Sequence, residues 1–143
     1  LIHAVDSLRL LRVIDKEGRK NGRVIDCLLQ VHIAQESTKF GFSDDEVLEL
    51  VKTTDWSELV NIRILGLMGM ATYTDNLDQV RAEFKVLANL KSTLEKMPLQ
   101  DNIVIQELSM GMTNDYKVAL EEGSTMVRIG TAIFGARACK IDE

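Results

Sequence analysis

The stretch Val24-Ile-Asp-Cys-Leu-Leu-Gln-Val-His-Ile-Ala34 is apolar almost without a break, with Cys27, Leu28, Leu29 and Val31 in close succession. A strand with one wet face alternates apolar and polar residues. One that is apolar throughout is buried on both faces, as in parallel sheets covered by helices. Outward from it, four more short apolar runs stand at Leu1 to Val5, Ile62 to Met68, Ile103 to Leu108 and Met126 to Ile129.

Helical patterns fill the gaps. Asp6 or Ser7 can cap a helix in which Leu8, Leu11 and Ile14 recur, through about Lys20. Ser43-Asp-Asp-Glu46 reads as a capping box for a helix to about Lys52, with a further helical turn between Asp55 and Val60. Leu77, Val80, Phe84, Leu87 and Leu94 mark a long helix that stops before Pro98. Its Glu83–Lys91 stretch is expected to be a solvated face. A short helix from about Asn114 to Glu122 ends at Gly123.

Strands alternating with helices specify a parallel α/β fold. An eight-unit barrel needs about 250 residues, so five units cover more than half of one barrel or all of a small open sheet. No repeat or linker divides the chain, and residues 1–143 are expected to form a single domain. The chain begins directly in an apolar run, without Met, as a piece of a longer protein would.

Composition narrows the function. Net charge is −5, with no basic block, which disfavours nucleic acid because phosphate contacts need clustered Lys or Arg. No apolar run approaches the roughly 20 residues that cross a bilayer, and no leader pattern is present, so a soluble, cytoplasmic protein is expected. Cys27 and Cys139 stand alone, without the spacing of a disulfide or metal site, and are read as reduced thiols. The sequence lacks a phosphate-loop, dinucleotide, zinc-helix or nucleophile-elbow motif.

Two glycine-punctuated segments carry the candidate site. Ser109-Met110-Gly111-Met112-Thr113 is expected to close the fourth strand, and Gly130 and Thr131 the fifth. Strand ends of parallel α/β folds are where ligands sit, and N–H groups at a helix start favour anions. Those glycines could equally serve tight turns alone. Arg128 lies between Val127 and Ile129, so it either pairs with a buried carboxylate or points at a ligand. Met68, Met70, Met110 and Met112 are core filler or a ligand wall. His3 and His32 are read as strand residues, and His32 as a hydrogen-bonded core histidine. Glu36, Lys39, Thr72 and Asp75 fall in loops on the expected ligand face.

The run Leu108-Ser-Met-Gly-Met-Thr-Asn-Asp-Tyr116, followed by Ala119-Leu-Glu-Glu-Gly-Ser-Thr-Met-Val-Arg-Ile-Gly-Thr-Ala-Ile-Phe-Gly135, resembles the pyridoxal phosphate homeostasis family. Its fold is the β/α TIM-barrel of the alanine racemase N-terminal type. Ile2-His-Ala-Val-Asp-Ser7, Gln30-Val-His-Ile-Ala-Gln-Glu36, Lys39-Phe-Gly41 and Gly66-Leu-Met-Gly-Met-Ala71 extend the likeness over nearly the whole chain.

The resemblance implies a cofactor, pyridoxal 5′-phosphate (PLP), held without robust turnover. It implies a phosphate set of Ser109, Gly130 and Thr131, with Met110 and Gly111 on the same turn and Arg128 facing the pyridine nitrogen. The family's Schiff-base lysine lies upstream of Leu1. Lys39 matches the family's Lys-x-Gly loop instead, so covalent capture is not expected from this chain. Five strands of an eight-strand barrel have two unpaired edges, so self-association is expected. The alternatives are a PLP-dependent amino-acid racemase, for which neither Tyr73 nor Tyr116 lies in a matching motif, and an unrelated phosphate-binding α/β protein.

Overall fold

A computed structural model of the chain describes residues 1–36 and 40–136. Five parallel strands lie side by side in chain order: β1 (Ile2–Val5), β2 (Ile25–His32), β3 (Ile62–Met70), β4 (Ile103–Met112) and β5 (Met126–Arg128). The crossovers carry α1 (Leu8–Lys20), α2 (Asp44–Thr53) with one 3-10 turn at Trp56–Glu58, α3 (Leu77–Glu95) and α4 (Tyr116–Glu121). A single turn of helix, α5 (Thr131–Phe134), follows β5.

Local chemistry accounts for the boundaries. Ser7, not Asp6, caps α1, its hydroxyl accepting from the Leu10 N–H. The capping box at α2 is complete: Ser43 Oγ accepts from Glu46 N–H, and Glu46 accepts from the Ser43 N–H at 2.7 Å. Gly123, with φ +96°, ends the turn after α4, where Ser124 N–H returns to the Ala119 carbonyl.

The sheet is curled, and one bond proves it. His3 on β1 lies 3.0 Å from Ser109 on β4. In a flat sheet those strands would stand about 14 Å apart, three steps of about 4.8 Å. Arg128 on β5 likewise reaches the Gly69 carbonyl on β3. The structure is therefore a partial β/α barrel with a concave inner face and helices on the outside.

Both faces of the sheet are buried. Outward residues Cys27, Leu29, Ile64, Leu67, Leu108 and Met110 pack beneath the helices with Leu11, Val47, Phe84 and Leu87. Leu28 and Met68, on the opposite face by strand alternation, are 0% and 5% exposed. This two-sided burial is why β2 reads as continuously apolar. It also raises the Cys27 thiol to about 11, which leaves that residue unreactive near neutral pH. Cys139 lies outside the described residues.

The strand ends differ from the sequence reading. β3 runs on to Met70 and β4 to Met112, so Ser109 and Gly111 lie inside a strand instead of closing it. The physical reason is pairing: Leu67 and Met68 of β3 keep their partners Leu108 and Ser109, and Ser109 keeps Met126 of β5. α4 begins correspondingly later, at Tyr116, not Asn114.

Gly66 lets β3 and β4 close up. A Cβ there would stand 1.9 Å from the Glu107 carbonyl oxygen, against backbone that cannot yield. Gly66→Ala is expected to cost about 3 kcal/mol or to prevent folding. Urea unfolding followed by circular dichroism measures this, and a variant as stable as the parent would refute the close approach.

Candidate functional site

A cleft of about 1270 Å³ opens at the C-terminal ends of the strands. Its lining comes from β2 (Gln30, His32), β3 (Met70), β4 (Met112), Arg128, and the Gly130–Thr131 turn, with the loops after β2 and β3 forming one rim. Strand termini place side chains here because each strand's last residues stand clear of the covering helices.

A slip in register aims the two most informative groups. Ser109 pairs with Met126, but Arg128 pairs with Met112, so β4 takes three residues where β5 takes two. Gly111, at φ +98°, sits within the surplus. Side chains alternate along a strand, so without the slip Met112 would share the outer face of Met110. With it, Met112 joins Arg128 on the cleft. Gly111 itself faces outward, where a Cβ would stand 2.7 Å from Ala119 Cβ of α4.

Arg128 is half-buried and lies among neutral partners. Its Nη1 donates to Ser109 Oγ at 2.6 Å and its Nη2 to the Gly69 carbonyl at 3.2 Å. Among the described residues no carboxylate lies within ion-pair distance of it. Burial lowers its affinity for the proton, and the Asp115 carboxylate partly offsets that. A guanidinium nonetheless stays charged. Of the two sequence readings, a buried ion pair is absent from the described residues, and the charge faces the cleft.

Ser109 has no exposed surface. Its hydroxyl lies between Arg128 and His3, whose Nδ1 is 3.0 Å away. Burial, then the nearby Arg128, hold the His3 imidazole below its ordinary range. Sequence reasoning treated His3 as an ordinary strand residue. Only the curl of the sheet reveals its contact, because the bond spans 106 residues.

The six residues singled out from the sequence therefore separate. Arg128, Gly130 and Thr131 line the cleft. Ser109 lies beneath Arg128. Met110 is fully buried among the outer core residues, near Val118 and Ala119 in α4. Gly111 packs on α4. The methionines divide as well: Met70 and Met112 line the cleft, whereas Met68 and Met110 are packed away. His32 lines the cleft too, yet its buried Nε2 has no hydrogen-bond partner among the described residues, contrary to the expected satisfied histidine. Lys39 lies outside the described residues.

The rim is tied together by a carboxylate read as solvated. Glu83 of α3 is 5% exposed, because the loop after β3 folds over it. It accepts from the Thr72 N–H at 2.7 Å, the Thr72 hydroxyl at 2.8 Å and the Gln79 amide at 3.1 Å. Thr72 Oγ1 accepts in turn from the Gln35 N–H, and Glu36 accepts from the Tyr73 N–H. The loops after β2 and β3 are thus bonded to each other and to α3. Glu83→Ala strands three donors and should destabilise the chain by about 2 kcal/mol, with faster amide exchange at Thr72 and Gln35. Exchange unchanged at both amides would contradict this anchoring role.

The family model described as alanine racemase, N-terminal domain, matches residues 1–138. A pyridoxal phosphate homeostasis protein of Aquifex aeolicus (strain VF5) is 41% identical over 137 residues, covering 96% of this chain and 58% of that protein. The protein of the same name from Escherichia coli (strain K12) is 33% identical over 139 residues, covering 94% and 55%. Among solved structures, PipY of Synechococcus elongatus PCC7942 without PLP superposes with a TM-score of 0.82 at 30% identity, covering 94% of this chain and 60% of that one. PipY with PLP bound gives 0.77 at 29% identity, with the same coverage. The chain spans little more than half the length of the curated relatives it matches.

Proposed function

The chain belongs to the alanine racemase N-terminal domain family, and from that premise we propose that it binds pyridoxal 5′-phosphate in the cleft above Arg128. Its role on this reading is to hold PLP for intracellular homeostasis, without robust turnover. The observation that carries the proposal is Arg128: a half-buried cation with neutral hydrogen-bond partners, open to a cleft, calls for an electron-rich group from outside. The relatives' names and the PLP-bound PipY supply that group's chemistry.

The residues fit such a cofactor. Arg128 would be the donor to the pyridine nitrogen. Its guanidinium does not surrender a proton, so it leaves that nitrogen unprotonated. PLP supplies an electron sink for carbanions when bound, and an unprotonated ring is a weak one. Arg128 therefore restrains the chemistry as it secures the ring. Gly130 and Thr131 offer backbone N–H groups and a hydroxyl for the phosphate, while Met70 and Met112 give apolar surface for the ring. On this assignment Met110 and Gly111 shape the strand behind the site instead of touching the ligand.

The reading extends to the rest of the chain. It forms a single domain, located in the cytoplasm, and associates with itself through its open edges: β1 and β5 each pair on one side in the described sheet. No described helix is long and apolar enough to cross a membrane. Light scattering at low micromolar concentration should report an oligomer, and a monomer with a well-protected core would exclude the association.

Calorimetric titration with PLP tests the central claim. Arg128→Met should weaken binding about tenfold or more, the loss of one charge-assisted hydrogen bond of roughly 1.5–3 kcal/mol. The loaded chain should yield no D-alanine from L-alanine. Absence of PLP binding to the unaltered chain would end the proposal, and D-alanine formation would turn it into a racemase.

A further inference from the structure

We infer that Ser109 and His3 act as positioning residues for Arg128, and that the Ser109 hydroxyl is committed to this task instead of to a ligand's phosphate. The inference rests on the reading of the cleft as a PLP site, and it assigns Ser109 a different part from the one its sequence motif suggested.

Proton accounting carries the argument. A serine hydroxyl has one hydrogen to give and two lone pairs to accept with. Arg128 Nη1, at 2.6 Å, can only donate, so it occupies one lone pair. His3 Nδ1, at 3.0 Å, either receives the Ser109 hydrogen or donates into the second lone pair. In the second case, whether the ring is a neutral Nδ1–H tautomer or an imidazolium, the hydrogen of a fully buried serine would be left over with no acceptor among the described residues. The charged side chain acting on His3 is Arg128 of β5, and it disfavours the imidazolium, as does burial. The one carboxylate that draws on this set, Asp115 ahead of α4, acts on Arg128.

His3 is thus neutral, with its proton on Nε2 and its Nδ1 accepting from Ser109. The hydroxyl then has no hydrogen left for a phosphate. It also has no exposed surface through which to reach one. The guanidinium is gripped by Ser109 of β4 and by the Gly69 carbonyl of β3, while its backbone belongs to β5. Three strands fix its direction before a ligand arrives, which is preorganisation. On the β4 and β5 side of the cleft the hydroxyls left for a phosphate are those of Thr113 and Thr131.

Three probes separate the two roles of Ser109: pyridoxine 5′-phosphate, pyridoxine and inorganic phosphate, titrated by NMR. Ser109→Ala should weaken the first two by the same factor, about fivefold to tenfold, and leave inorganic phosphate unchanged. In an Arg128→Met background it should add nothing. A loss confined to pyridoxine 5′-phosphate and inorganic phosphate would make Ser109 a phosphate contact and overturn the inference.

A ligand-free arm decides the matter even if the unaltered chain binds none of the three, a result that would sink the PLP reading alone. Nitrogen NMR should find His3 as the Nε2–H tautomer and Arg128 with slow guanidinium rotation. Ser109→Ala should mix the tautomers and average the guanidinium signals. His3→Gln, a milder change should Ser109→Ala unfold the chain, should average the guanidinium signals too. Spectra of Arg128 unmoved by either substitution would refute the positioning role.

Discussion

Curvature of the parallel sheet is the constraint from which the site follows. Strands β1 and β4 are not neighbours in the ladder, yet a histidine on one meets a serine on the other at 3.0 Å. Only a sheet that bends round on itself can bring them together. Bending is permitted where β3 and β4 approach without a side chain at Gly66. It is sustained by helices that bury the outer face under a continuous apolar layer. Once the sheet bends, its inner face becomes a confined volume, and a polar group there must find a partner or face the opening. Arg128 does both, taking neutral oxygens on two strands and leaving its charge toward the cleft.

The rim obeys a different logic. Loops at strand ends have few apolar contacts of their own, and here order comes from a buried carboxylate. Glu83 collects donors from the loop after β3, which collects one from the loop after β2. A helix residue thereby governs the shape of a cleft that it does not line. Loss of that carboxylate would act on the mouth of the site without altering its floor.

Much of this was legible in the chain. The order of strands and helices followed from apolar runs and periodicity, and the caps at Ser43 and Gly123 followed from residue type and position. The motifs around Ser109 and Arg128 located the right end of the sheet. What could not be read were relations between strands. Ser109 was expected at a turn because serine and glycine favour turns, but ladder pairing with β3 and β5 outweighed that preference. Glu83 was expected in water because its neighbours are charged, and the loop that covers it lies about ten residues away in sequence. The contact of His3 needs the curl of the sheet, and no local pattern encodes it.

The uneven count between β4 and β5, three residues against two, works as a parity switch. Facing in a strand is binary, so one supernumerary residue reverses the allegiance of everything beyond it. Just before that point Ser109 faces the lumen and Met110 the helices; just after it, Met112 takes the lumen. Removing a single residue near Gly111 would therefore exchange inside for outside at Met112 while leaving composition, length of helix and hydrophobic content nearly untouched. Insertions elsewhere lengthen a loop, but here the arithmetic of one residue decides which side chains a ligand could ever meet.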